Sequence, residues 1–132
     1  MRQNCSNAEK VVDFLEDHPK VERVIYPKNY DGVVGERSKK YFKGEFGALV
    51  GLELKGGIEA GKKFINSLKL FYHVANIGDA RSLAIHPATT THSQLTPEEQ
   101  LASGVTPGYV RLSLGIEHPD DLMSDLKQAL EA

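Results

Sequence analysis

Two histidines, two serines and three consecutive threonines fall within one stretch, NIGDARSLAIHPATTTHSQL at 76–95, the densest run of chemically capable side chains in the sequence. The stretch is too polar for a core strand and too long for a simple turn, so it reads as a loop held by a frame, where chemistry concentrates. Its apolar Ile77, Leu83, Ile85 and Leu95 argue against disorder. Together with His73, its His86 and His92 invite a metal reading. That reading fails, because their spacing is not that of zinc ligands and no cysteine or carboxylate completes a set. The histidines are expected to serve as hydrogen-bonding posts. Ser82 lacks the glycine-rich flanks of a hydrolase nucleophile, so a hydroxyl or backbone contact to a ligand is the role left to it. Cys5 lies far in sequence from every histidine, which argues against a nucleophilic thiol.

A second chemical residue lies in GYVRLSLGIE, 108–117. Val110, Leu112, Leu114 and Ile116 alternate there with Tyr109, Arg111, Ser113 and Gly115, which describes a strand with one core face and one open face. Arg111 stands mid-strand on the open side. An always-charged planar fork in that place suits bidentate capture of a carboxylate, and it suits equally a surface ion pair with a neighbouring glutamate. GGIEAGKK, 56–63, nearly matches a phosphate-binding loop through Gly56, Gly61 and Lys62. It fails at Lys63, where a hydroxyl is needed for magnesium, and Glu59 would place a negative charge in the cradle. What remains is a glycine-rich turn into a helix that buries Phe64, Ile65 and Leu68.

The positioning elements follow from periodicity. Residues 4–17 put Ala8, Val11, Val12 and Leu15 on one helical stripe, Pro19 ends that helix, and VERVIY at 21–26 is a short strand closed by Pro27. Residues 27–35 are loop by composition, and a basic helix follows over 36–43. GALVGLEL at 47–54 commits Ala48, Val50, Leu52 and Leu54 to one face. A short strand is expected within 68–78. Thr96, Pro97 and Glu99 form a capping box that opens a helix over 97–102. Pro119, Asp120 and Asp121 start a last helix whose stripe is Leu122, Met123, Leu126, Ala129 and Leu130. Three or four strands and about five helices give an α/β (α+β) domain: a mostly antiparallel sheet with helices on one face, the other face left open.

Composition narrows the partners. The 132 residues suit one domain with a single core, residues 1–132, and 40% apolar with 26% charged residues is an ordinary globular balance. A net charge of −2 gives no attraction to phosphate backbones, so no nucleic acid is expected, and no apolar run suits a bilayer. The lone Cys5 points to a reducing, cytoplasmic setting. The chain opens directly on helix-forming sequence, which reads as part of something longer.

From NCSNAEKVVDFLEDHPKVERVIYP through EFGALVGLELKGG to the final helix, with the two stretches above, the chain resembles the C-terminal domain of the Cys/Met-metabolism family of pyridoxal-phosphate enzymes. Its NIGDARSLAIHPATTTHSQL and GVTPGYVRLSLGIE look most like the O-acetylhomoserine sulfhydrylase branch. The alternatives are the cystathionine γ-synthase, cystathionine γ-lyase and methionine γ-lyase branches, or a free-standing non-enzymatic binding module. The resemblance implies the small C-terminal domain of the aspartate-aminotransferase-like fold, packed on an upstream large domain in a homodimeric or homotetrameric parent. It implies pyridoxal 5'-phosphate in that parent and none bound to this fragment, whose lysines do not reproduce the family's cofactor-bearing context. No catalytic or cofactor-binding residue is then expected in the fragment, which would be inactive alone. Arg111 matches the family arginine that pairs with the substrate α-carboxylate, and Ser82 and Leu83 match loop positions that contact the same carboxylate. Arg81 stands where the cystathionine branch is often acidic, either competing with Arg111 or facing solvent beside Asp79. The implied substrates are O-acetylhomoserine and sulfide, joined by γ-replacement.

Overall fold

The computed structural model describes residues 1–132. Helix α1 (Arg2–Glu16) leads into β1 (Val21–Ile25), a 3₁₀ turn at Pro27–Asn29, α2 (Gly32–Phe42), β2 (Leu49–Leu54) and α3 (Gly57–Ser67). Then follow β3 (Tyr72–His73), β4 (Leu83–Ile85), a 3₁₀ turn at Pro87–Thr89, α4 (Pro97–Ala102), β5 (Tyr109–Ser113) and α5 (Pro119–Glu131). The strands form one sheet in the order β1-β2-β5-β4-β3. It is antiparallel except where β3 pairs parallel with β4. The expected layering holds, with five strands in place of three or four.

The core lies between the inner sheet face and a layer of α1, α3 and α5. Val50 and Leu52 of β2 and Val110 and Leu112 of β5 are fully buried against Val11 and Leu15 of α1 and Leu122 and Leu126 of α5. Removing this much aliphatic surface from water is the main term holding the layers together. The stripes read from the sequence are buried with three exceptions. Leu68, expected on the buried face of α3, is half-buried at that helix's C-cap. Ile116 is exposed, because β5 ends at Ser113 and the chain turns away at Gly115, and Met123 is only half-buried at the edge of α5.

Two local expectations are corrected. Helix α2 starts at Gly32, inside a stretch whose composition suggests loop. Gly35 is needed there because a Cβ would stand 2.1 Å from the Tyr30 carbonyl oxygen; the glycine marks close packing. The stretch 76–95, expected to be loop throughout, contains β4 in the interior of the sheet, with Leu83, Ala84 and Ile85 all buried. Three residues are too few to show alternation, and their polar flanks hide them.

The near-miss phosphate loop also has a packing reason. A Cβ on Gly61 would lie 2.4 Å from His86 Nε2, and that ring is buried and hydrogen-bonded at both nitrogens. At an open helical site Gly→Ala stabilises by roughly 0.8–1 kcal/mol. At Gly61 the overlap reverses the sign, and Gly61→Ala is expected to destabilise the domain by about 1–3 kcal/mol. A thermal melt lower by several degrees is the expected reading; an unchanged or raised midpoint would show that the ring moves aside freely.

Candidate functional site

Strand β5 holds the centre of the sheet, and its outer face carries Tyr109, Arg111 and Ser113. Arg111 faces Gly51 across one strand junction and Ile85 across the other, so both lateral neighbours are uncharged. The glycine leaves room for a large neighbour: a Cβ there would press on the Tyr109 ring at 2.8 Å. Burial pushes the Tyr109 phenol up from its ordinary value, so it stays protonated beside the arginine.

The Arg111 guanidinium is held by peptide carbonyls. Its Nη2 donates to Ala75 O at 2.6 Å and to Asn76 O at 3.4 Å. Its Nε is buried and has no partner. No carboxylate lies within 4 Å of it; the acid on that face, Glu53, is occupied by Arg23 at 2.9 Å and by the Thr106 hydroxyl at 3.1 Å. Of the two uses the strand position left open, the surface ion pair is therefore absent. An aligned cation remains, with one buried donor unused, and a buried unpaired donor calls for an explanation such as a ligand.

The segment between β3 and β4 folds over this face. Gly78 N donates to Ser113 Oγ at 3.2 Å, next to the carbonyls that hold Arg111. Leu83 begins the returning strand β4, and Ser82 immediately precedes it. Every polar group of Ser82 is occupied within the chain: its amide and hydroxyl donate to Glu117 at 2.7 and 2.8 Å, its Oγ accepts from Gly115 N, and its carbonyl accepts from Tyr72 N. Leu83 is 2% exposed. Both are buried, and the Ser82 amide, hydroxyl and carbonyl are each engaged within the chain. Arg81 lies at the surface, 3.7 Å from Asp79, with its guanidinium 4.4 Å above the Tyr72 ring.

His86 acts as a post. A carbonyl can only accept, so Nε2 donates to Pro107 O at 2.8 Å, which leaves Nδ1 to accept from the Thr89 hydroxyl at 2.8 Å. Thr90 Oγ1 donates to the His86 carbonyl at 2.8 Å. His92 contacts the Thr91 hydroxyl, and no three His, Cys, Asp or Glu residues are grouped to hold a metal ion.

Sequence reasoning missed Asn4, Asn7, Asp125 and Glu117. Asn4 and Asn7 are buried on the apolar stripe of α1, and Asp125 is buried on that of α5, accepting from the amides of Lys69, Leu70 and Phe71. Polar residues on a buried stripe are a usable signal, since such groups must be hydrogen-bonded. Glu117 carries no comparable mark.

A mixed α/β arrangement of one five-stranded sheet and five helices is shared with PLP-dependent enzymes of the aspartate-aminotransferase-like fold. The model of the Cys/Met metabolism PLP-dependent enzymes matches residues 1–131, and the chain belongs to that family. It is 56% identical to an O-acetyl-L-homoserine sulfhydrylase of Leptospira meyeri over 99% of the chain and 30% of that protein. It is 50% identical to an L-methionine gamma-lyase of Fusobacterium nucleatum subsp. polymorphum, over 99% of the chain and 33% of that protein. The structure superposes with a TM-score of 0.91 and 43% identity on a putative O-acetylhomoserine (thiol)-lyase of Campylobacter jejuni that carries N'-pyridoxyl-lysine-5'-monophosphate, covering 99% of this chain and 31% of that one. The chain thus spans about a third of the length of these relatives. No helix is long and apolar enough to cross a membrane.

Burial holds the His86 imidazole below its ordinary 6.5. As pH falls through 6.5 the unfolded chain takes up a proton there that the folded chain refuses, so stability is full above that pH and declines below it. His18, shifted the same way by desolvation, adds to the decline. The thermal midpoint is expected to fall between about pH 7 and 5.5, above the usual carboxylate range, and to fall less steeply in His86→Gln. Equal slopes would contradict the buried neutral state of His86.

Proposed function

We propose that this chain is the substrate-carboxylate-binding domain of an O-acetylhomoserine sulfhydrylase. Its parent would convert O-acetylhomoserine and sulfide to homocysteine and acetate by PLP-dependent γ-replacement. The observation that carries the reading is Arg111: a guanidinium oriented by the Ala75 and Asn76 carbonyls, free of any acidic partner, with a buried Nε still to be satisfied. An α-carboxylate suits that planar fork as a bidentate acceptor. Ser82 and Leu83 shape the floor on which the carboxylate rests. Fixing this one end of a flexible amino acid is an orienting contribution, and the energy of orientation can exceed that of any single proton transfer.

The residues present do not build a cofactor site. Every lysine side chain is exposed, whereas a lysine that carries this cofactor is activated by desolvation. Pyridoxal phosphate supplies the electron sink for such chemistry when bound, and in this reading it is held by the remainder of the parent. The fragment alone is then inactive, in a parent that is a cytoplasmic homodimer or homotetramer. The 50% identity to a methionine gamma-lyase favours a second reading, in which the same arginine holds methionine.

In the full-length enzyme, Arg111→Ala is expected to lower kcat/KM for O-acetylhomoserine by roughly 100-fold, about 2.8 kcal/mol at 1.4 kcal/mol per tenfold. Arg111→Lys recovers little of this, because a point charge lacks the planar fork. Arg81→Ala changes it by less than about threefold, as expected of an exposed ion pair. Steady-state kinetics on the three variants decide the matter: wild-type values for Arg111→Ala would refute the assignment. Methionine consumption without added sulfide would transfer it to the second reading.

A further inference from the structure

Segment 72–82 leaves the sheet at β3 and returns at β4, and its two ends are joined where Tyr72 N donates to Ser82 O at 3.0 Å. Its crest supplies the two carbonyls that hold Arg111. Since no ion pair orients that guanidinium, the height of the crest over β5 sets where the fork points. The returning limb is fixed by one carboxylate. Glu117 Oε1 accepts from Ser82 N at 2.7 Å, and Glu117 Oε2 accepts from the Ser82 hydroxyl at 2.8 Å. Ser82 Oγ in turn accepts from Gly115 N at 2.8 Å, and Ile116 N donates to Ala80 O at 2.9 Å.

The contact is tight and fixed from behind. A Cβ on Gly115 would lie 2.3 Å from Ala80 O and 2.4 Å from Glu117 Oε2, so only glycine lets the two segments approach. On the other side, Asn7 Nδ2 donates to the carbonyls of Gly115 and Glu117 at 3.1 and 2.8 Å, and Asn4 Nδ2 to that of Leu114 at 2.9 Å. These buried amides join the backbone that carries Glu117 to α1. Glu117 pairs with no cation within 4 Å, and both of its carboxyl oxygens are engaged by Ser82.

Resting on the carboxylate-binding reading above, we propose that Glu117 is the positioning residue of that site. Acting through Ser82, it clamps segment 72–82 and thereby orients Arg111, without touching substrate. A displacement of about 1 Å at such a site can cost on the order of 100-fold in rate, so the clamp governs how well the amino-acid substrate is held. Sulfide has no carboxylate and is indifferent to it.

The test uses the full-length enzyme with Glu117→Ala, Glu117→Gln, Ser82→Ala and the double variant Glu117→Ala/Ser82→Ala, measuring both KM values, kcat and the melting midpoint. Glu117→Ala is expected to raise KM for O-acetylhomoserine about tenfold, while KM for sulfide stays within about twofold. Glu117→Gln keeps an acceptor for Ser82 N and should fall between wild type and Glu117→Ala. The double variant should be no worse than Glu117→Ala, because the two residues act as one unit. If Glu117→Ala fails to fold, a KM for O-acetylhomoserine raised about threefold in Glu117→Gln, with sulfide unaffected, supports the clamp. The proposal is overturned if both KM values stay at wild type, if they rise together, or if the double variant is additive. Arg111→Ala in the same assay separates the two levels. If it raises KM for O-acetylhomoserine and the Glu117 variants do not, only the clamp is wrong; if it leaves that KM unchanged, the carboxylate reading itself fails.

Discussion

A guanidinium held by two peptide carbonyls, with no carboxylate to neutralise it, is an electrostatically unfinished arrangement, and the outer half of this domain is built around it. Carbonyl dipoles orient Arg111 without cancelling its charge. An aspartate or glutamate in their place would hold the fork as firmly and would also remove the attraction for an incoming anion. Keeping the cation uncompensated has structural consequences. The acid nearest on the face is engaged by Arg23 and Thr106, the cross-strand neighbours are glycine and isoleucine, and the neighbouring tyrosine is kept neutral by burial.

The inner half supplies the stiffness this needs. Strand β5 lies between β2 and β4, and its buried Val110 and Leu112 belong to the core shared with α1, α3 and α5, so Arg111 is mounted on a strand paired on both sides. Polar anchors then tie each irregular segment to that core. Asn4 and Asn7 hold the chain reversal after β5, and Asp125 gathers three amides at the start of the 69–73 run. His86 joins the 3₁₀ turn to the approach of β5 while pressing on Gly61 of α3. Each anchor is a satisfied buried polar group, which adds geometric specificity that apolar packing alone does not provide.

Much of this was legible in the sequence. The stripes of α1 and α5 and the alternation of β2 and β5 were readable because each extends over several periods of its own element, and the capping box at Thr96 because its residues lie within four positions of one another. The interest of Arg111 was readable for the same reason: a charge in an alternating strand has a definite face. Strand β4 was hidden, since Leu83, Ala84 and Ile85 owe their strand geometry to β5 and β3 on either side. The glycines of α2 and α3 were ambiguous, because close packing and flexibility select the same residue. Glu117 was invisible for a different reason. Its role depends on a chain reversal at Gly115 that brings residues 82 and 117 together, and no local periodicity encodes a contact between positions so far apart. Ser82 was found, but its hydroxyl serves the frame.

The proposed role of Arg111 depends on where a substrate carboxylate goes, and the most direct measurement is a crystal structure of the full-length enzyme with a bound amino acid that carries a free α-carboxylate. The predicted result has the two carboxylate oxygens about 2.7–3.0 Å from Arg111 Nε and one Nη, with the Ala75 carbonyl still on Nη2 and Glu117 still on Ser82. A carboxylate seated on Arg81, or on a residue outside this domain with Arg111 Nε still unpaired, would contradict it.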